Sequence, residues 1–322
     1  MKPMNTLNER VYTTSQTLPQ DLQFEAALPY VFDLDYLGAL DVAGNTNIDF
    51  LQGQLTCDVK EVSATQMRPG GMCSLQGRLL ALLDVVAWQG LHMIMPQDLL
   101  ATSQQALAKT ALFSRVSLQI NTQFAFLGLY LPPHAYQPNL PCVLPTAPWQ
   151  VTQNEDVCCY ALSEHLFIII LREASQKTSW LAAFPNEQQR GSLAWHYLEL
   201  QLPRLTIYPN TRGLFLPHRL HLHTTPYISF NKGCYKGQEI IARTHYRAKL
   251  KHSLKLYKIT TTDPIFAGQK CYAVPQQAEI GEIIDYCPID TNQYLIAVSI
   301  LSEHPEQVYF EQHQASLALF SL

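Results

Sequence analysis

Two glycines four residues apart enclose a cysteine, a tyrosine and a lysine in the run Lys232-Gly233-Cys234-Tyr235-Lys236-Gly237-Gln238-Glu239. A chain uses glycine where φ must be positive or where backbone has to approach something closely. The run therefore reads as a tight, specially shaped turn that holds a thiol and an aromatic ring. Lys232 and Lys236 flank the thiol, and Arg243 and His245 follow. Positive neighbours favour thiolate, which makes Cys234 the candidate reactive cysteine. The plain alternative is a helix entrance with a buried cysteine and solvated lysines.

This segment also stands apart in charge. The whole chain has a formal net charge of −4, so bulk electrostatics do not drive it onto nucleic acid. Between Asn231 and Lys258, however, there are eight Lys/Arg residues against one acid, Glu239. That local +7 leaves about −11 for the rest of the chain, a distribution suited to an anionic ligand or partner. None of the eight cysteines forms a Cys-x-x-Cys pair, so zinc ribbons and thioredoxin-type motifs find no support. The first twenty residues lack the apolar core of a secretory signal, and the longest apolar runs are too short or too interrupted to span a bilayer. The expected compartment is the cytoplasm, with no membrane partner.

With 322 residues the chain is long enough for two or three cores. Residues 36–42 read as a strand closed by Gly44-Asn45. Thr46-x-x-Asp49 has the capping-box pattern ahead of a helix. Runs 72–74 and 79–88 read as a hairpin turning at Gln76-Gly77, followed by a helix over 97–109. Strands are expected at 117–120, 124–131, 157–160 and 166–171, and helices at 175–184 and 192–200. Six prolines between Leu131 and Pro148 mark a rigid connector. Short β-type runs at 254–259, 269–274, 280–284 and 294–300, separated by Asp263-Pro264, Gly268 and Pro288, predict a small antiparallel barrel or sandwich.

The octapeptide resembles the signature of the YgfZ family, folate-binding relatives of the glycine-cleavage T-protein. The resemblance extends to the stretch from Phe50 to Val59, to Gln76-Gly77-Arg78 and Phe113-Ser114-Arg115-Val116, and to the stretch from Trp195 to Ile207. Phe215-Leu216-Pro217, Ile228-Ser229-Phe230, Ile241-Ala242-Arg243 and Arg247 complete it. It implies an α+β fold: a T-protein-like three-domain ring with two α+β domains and a C-terminal antiparallel β-barrel domain. The expected divisions are 1–122, completed by part of 190–245, then 123–245 and 246–322. It further implies binding of tetrahydrofolate or a related folate, and a role in maintaining iron–sulfur proteins such as tRNA-modifying enzymes. By position Cys234 becomes the functional thiol, framed by Lys232, Gly233, Tyr235, Gly237, Gln238, Glu239 and Arg243. Of two tryptophans associated with folate in the family, one position holds Trp195 and the other falls at Leu37.

T-protein relatives carry an acid soon after the hairpin glycine. The equivalent here is Leu82, with Asp84 two residues on and on the same face of a strand. The reading is folate binding without one-carbon transfer, so not a classical enzyme; a folate-dependent aminomethyl- or methyltransferase is the alternative. His218, His221 and His223 cluster in sequence but offer no third metal ligand, and His221 stands where family members tend to have Asn; no metal is expected. Direct tRNA binding by residues 232–258 is the remaining alternative, set below the others because Lys251, Lys255 and Lys258 interleave with Leu250, Leu254, Leu256 and Ile259 as on a solvated strand face.

Overall fold

The computed structural model describes residues 4–274, 278–313 and 315–321. Its architecture is the expected α+β one, a two-stranded ribbon of Met4–Leu7 and Arg10–Thr13 and three larger antiparallel-rich sheets, the last a curled C-terminal half-barrel. The first sheet runs in the order Arg68–Cys73, Leu79–Ala87, Leu91–Pro96, Leu37–Ala43, Ser117–Asn121, with every pairing antiparallel. The helix Gln97–Phe113 follows it, burying Leu99, Leu100, Ser103, Leu107 and Ala111. That spacing lays one stripe of a 3.6-residue helix on the sheet, and each large apolar side chain so buried contributes about 1.5–3 kcal/mol.

The middle sheet runs Val151–Gln153, Val157–Ala161, Leu166–Leu171, Ala125–Tyr130, Tyr30–Asp33 and Gln189–Arg190. Its last pairing is parallel. Strand Leu166–Leu171 is buried at every residue because both faces of the sheet are covered. Leu166, Ile168 and Ile170 enter the core shared with Trp195, and Phe167, Ile169 and Leu171 enter the one shared with Trp180 and Phe184. Period-two alternation splits one apolar run between two cores. Residues 131–148 contain neither strand nor helix, as six prolines dictate.

The C-terminal sheet is seven-stranded, in the order Leu317–Ala318, Gln307–Phe310, Lys270–Ala273, Glu279–Asp290, Gln293–Leu301, His252–Thr260, Phe320–Ser321. Pro288 does not end a strand here. It lies inside Glu279–Asp290 at a register shift, where a residue without an N–H is tolerated. A second shift between Ile283 and Asp285 aims a fully buried carboxylate at the molecular centre. The capping box predicted at Thr46 is also absent. Its hydroxyl donates instead to the Ser114 carbonyl, tying the helix Asn47–Gln52 to the end of Gln97–Phe113. The helix expected over 175–184 is shorter, a 3-10 turn Ala174–Gln176 running into Lys177–Ala182. Among the described residues no helix is long and apolar enough to cross a membrane.

Trp195 packs edge-on to Phe32, with ring centroids 5.3 Å apart, and its ring fills the space that a side chain at Gly128 would take. Gly128→Ala should therefore overpack this core and lower stability by about 1–3 kcal/mol, read as a reduced urea midpoint with an unchanged m-value.

Candidate functional site

Three stretches far apart in sequence converge around the octapeptide. The Lys236 amide donates to the Gly53 carbonyl at 3.0 Å, and the Lys232 ammonium donates to the carbonyls of Leu55 and Cys57 at 2.7 and 2.6 Å. Thr56 holds the same loop from the other side. Its hydroxyl donates to the Tyr227 carbonyl and accepts from the Gly71 amide, and its carbonyl accepts from the Ser229 amide. Gly237 caps the helix Gln238–Arg247 at φ +85°, with the hairpin turn pressed against it. A Cβ there would lie 2.5 Å from the Ser74 carbonyl oxygen. Gly77, at φ +70°, faces Ile240 and Gly237 in return.

The two octapeptide glycines thus play different parts. Gly237 needs its left-handed conformation; Gly233 is not at positive φ and has open space where a side chain would project. Cys234, beside that space, is the one exposed cysteine of the eight. A buried cysteine at a helix entrance is thereby excluded. Burial pushes the thiols of Cys57, Cys73, Cys158 and Cys271 up to about 12, so these are inert small hydrophobes at neutral pH.

Within the frame around Cys234, Lys232 does not lie beside the thiol as its place in the sequence suggests. Lys232 is buried, and its ammonium serves the two carbonyls and lies 5.1 Å over the Tyr235 ring. Burial pushes it down to about 8. It fastens the turn rather than presenting charge to the thiol. Tyr235 is buried beneath the turn, with its hydroxyl unpartnered. The Gln238 side chain approaches the Tyr235 amide at 3.4 Å, whereas Glu239 and Arg243 face solvent.

A second locus lies where the three sheets meet. A cavity of about 40 Å³ is walled by Tyr12, Tyr36, Leu37, Leu82, Asp84, Ile94, His196, Glu199, Arg204 and Tyr227 among others. At its heart the Arg204 guanidinium donates to Asp84 Oδ2 at 2.6 Å, to Glu199 Oε1 at 2.9 Å and to the Tyr227 hydroxyl at 2.9 Å. Tyr160, from the middle sheet, donates to the same Asp84 oxygen at 2.9 Å, and Tyr36 to Glu199 at 3.1 Å. Burial opposes the charge of Arg204, but Asp84, Tyr227 and Glu199 outweigh it and hold the guanidinium protonated. Burial raises Glu199 above the usual carboxylate range despite Arg204. Beside this cluster His196 approaches Asp285 at 3.2 Å, and Tyr12 stacks on the imidazole with centroids 5.0 Å apart. Burial disfavours the imidazolium, and Asp285 more than restores it.

Leu37 lines this cavity, as does Leu82. Trp195 does not; it is turned into the core between the sheets, with its Nε1 unpartnered. Asp84 lines the cavity with Oδ1 unpartnered. The sequence reading passed over Glu199, Arg204, Tyr36, Tyr160 and His196. The signal available was a set of charged residues in apolar surroundings, Leu198-Glu199-Leu200 and Pro203-Arg204-Leu205, in a chain only 15% charged. Tyr227 couples the two loci, accepting from Arg204 with its hydroxyl and from Thr56 with its carbonyl.

The histidines occupy consecutive 3-10 turns, Pro217–Leu220 and Leu222–Thr224, not an extended strand. His221 takes the left-handed conformation at φ 55°, which Asn and His tolerate best. His218 stacks on His223 at 4.9 Å, and His245 of the helix Gln238–Arg247 lies 6.0–6.3 Å from both. Burial, with His223 and His245 adding to it, pushes His218 down to about 4, so the stack is built on a neutral imidazole. Among the described residues no group of three or more His, Cys, Asp or Glu is placed to hold a metal.

No family model matches the chain. It is 30% identical over 263 residues to the tRNA-modifying protein YgfZ of Hamiltonella defensa, covering 80% of this chain and 75% of that one. It is 28% identical over 247 residues to the protein of the same name from Colwellia psychrerythraea, covering 75% of each. Against that of Klebsiella pneumoniae the figures are 26% over 302 residues, with 90% and 91% covered. The fold matches the glycine cleavage system aminomethyltransferase T of Bartonella henselae with a TM-score of 0.75 at 15% identity, across 99% of this chain and 92% of that one.

Two substitution experiments test this geometry. Gly237→Ala should cost about 1–3 kcal/mol in thermal or urea unfolding, while Gly233→Ala should stay within about 0.5 kcal/mol of the parent. Arg204→Met leaves Asp84 and Glu199 buried without their cation and should cost about 3–5 kcal/mol by urea unfolding.

Proposed function

The chain belongs to the YgfZ family, and from that premise we propose that it is a cytoplasmic, folate-binding accessory protein that supports iron–sulfur proteins and, through them, tRNA modification, with Cys234 as its working thiol. The observation that carries this reading is the exposure of Cys234 on a turn fixed on three sides, beside the open space over Gly233. A preformed turn that presents one accessible thiol, in a chain whose other thiols are all partly or wholly buried, is built for contact with something outside the molecule.

The cavity has the chemistry of a pterin site. Leu37, Leu82 and Ile94 offer apolar walls, Tyr12 and Tyr36 aromatic ones, and Glu199 with the unpartnered Asp84 Oδ1 offers acceptors for the N–H edge of a heterocycle. At about 40 Å³ it holds a few waters, so a pterin enters only as the walls part. Trp195, one helical turn from Glu199, supports this ring from behind in our reading. Asp84 in the cavity wall favours a second reading, a folate-dependent one-carbon transferase. Its tie to Arg204 and Tyr160 makes it a structural acid first.

Titration with tetrahydrofolate should give a saturable change in tryptophan fluorescence that is lost in Glu199→Gln. No change, with calorimetry also silent, removes the folate assignment. Cys234→Ser should fold as the parent does and fail to restore iron–sulfur-dependent tRNA nucleosides in a cell lacking the protein. Full restoration refutes the working thiol. One-carbon transfer abolished by Asp84→Asn in a folded protein would establish the transferase reading instead.

A further inference from the structure

Past Cys234 the chain enters the helix Gln238–Arg247 and leaves it through Ala248–Leu250 into the strand His252–Thr260. Along this path Arg243, Arg247, Lys249 and Lys251 all stand exposed. Several cations elsewhere have carboxylate partners, Arg10 with Asp98, Arg68 with Glu61, Arg204 with Asp84 and Glu199, and Lys270 with Glu279 and Glu282. Among the described residues none of these four forms an ion pair within the molecule. The surface thus leaves its positive charge uncompensated on an otherwise acidic protein. Such a charge row is complementary to a polyanion.

Aromatic groups accompany the charge. Tyr246, between Arg243 and Arg247 in sequence, has 69% of its surface open. Behind it His245 lies against Phe230, centroids 3.9 Å apart and nearly parallel, and the Tyr246 ring meets both, at 4.8 and 5.9 Å. Phe230 also borders an open recess of about 440 Å³ whose walls include Trp149 and Ile228 but also Asp58 and Glu61, so the phosphates are placed along the helix and not in that recess. A row of unpaired cations beside one exposed aromatic ring matches a strand of nucleic acid, whose backbone takes the charges and one of whose unstacked bases takes the ring. An acidic protein surface would need the cations but has no use for the aromatic platform.

We propose that this face docks RNA, with phosphates along Arg243, Arg247, Lys249 and Lys251 and an unpaired base against Tyr246. The inference deepens the proposed role in tRNA modification and takes from it only the choice of RNA as the nucleic acid. It places the RNA on the helix that follows Cys234 and on the chain leaving that helix.

The test uses the purified full chain without folate and a fluorescein-labelled RNA stem–loop, followed by anisotropy across a salt series. Binding should weaken linearly in log affinity against log salt. Arg247→Ala with Lys249→Ala and Lys251→Ala should reduce that slope by about 2, near 0.7 per cation removed. Tyr246→Ala should weaken the stem–loop on the order of tenfold, Tyr246→Phe should not, and neither should alter binding of a fully paired duplex of equal length. All four side chains are exposed, and unchanged circular dichroism would certify the fold of each variant. No binding at low salt, or a slope unmoved by the triple substitution, overturns the proposal. So does poly-glutamate binding as tightly as the RNA, which would reassign the face to acidic polypeptides. Cys234→Ser should bind RNA as the parent does. Failure of the folate or thiol assignment would therefore leave this measurement standing, and its own failure would leave theirs.

Discussion

Everything at the centre of this molecule depends on one buried guanidinium. Arg204 draws Asp84 from the first sheet and Glu199 from the helix Ser192–Gln201 into a single cluster, and Tyr160 of the middle sheet joins through Asp84. Such a cluster carries a desolvation cost that close charges only partly repay. Its return is specificity, because a planar fork with fixed donors accepts these partners in only one arrangement. The neighbouring His196–Asp285 pair brings in the C-terminal half-barrel in the same way, with Tyr208 and the Thr206 amide also holding Asp285. Apolar burial supplies the bulk of the stability. The polar cluster sets how the three sheets are registered against one another.

The octapeptide is built on the opposite logic. There the polar groups that hold the turn are mostly backbone carbonyls, and the charged side chain that reaches them, Lys232, is withdrawn from solvent. The turn is rigid without depending on any group that a partner would compete for. Tyr227 touches both regions, accepting from Arg204 with its hydroxyl and from the Thr56 loop with its carbonyl.

Much of this was legible in the sequence, and for definable reasons. The paired glycines announced a shaped turn, and Gly237 has the positive φ that such a residue exists to supply. The apolar run 166–171 and the hairpin at Gln76-Gly77 follow local rules that burial only reinforced. Gly233 was misread because sequence does not separate a glycine required by conformation from one that leaves room. Lys232 was misread because proximity in sequence to Cys234 says nothing of where a long side chain goes. The Arg204 cluster stayed hidden for a deeper reason: its members run from Tyr36 to Tyr227 along the chain, and no local pattern records which buried charges will meet. Thr46 lost its capping role to a carbonyl 68 residues away.

The strand Tyr30–Asp33 is an early segment, yet it sits in the middle sheet between Ala125–Tyr130 and Gln189–Arg190. The order of synthesis and the order of assembly are therefore at odds. A ribosome delivers this strand long before either neighbour exists, and the first sheet is complete some eighty residues before Arg204 emerges to neutralise Asp84. Tyr30–Asp33 has no partner strand until Ala125–Tyr130 is made, and Asp84 has no guanidinium partner until Arg204 is made. The sheets of this fold thus close over long separations in sequence, and the loop closures they require come before the contacts that reward them.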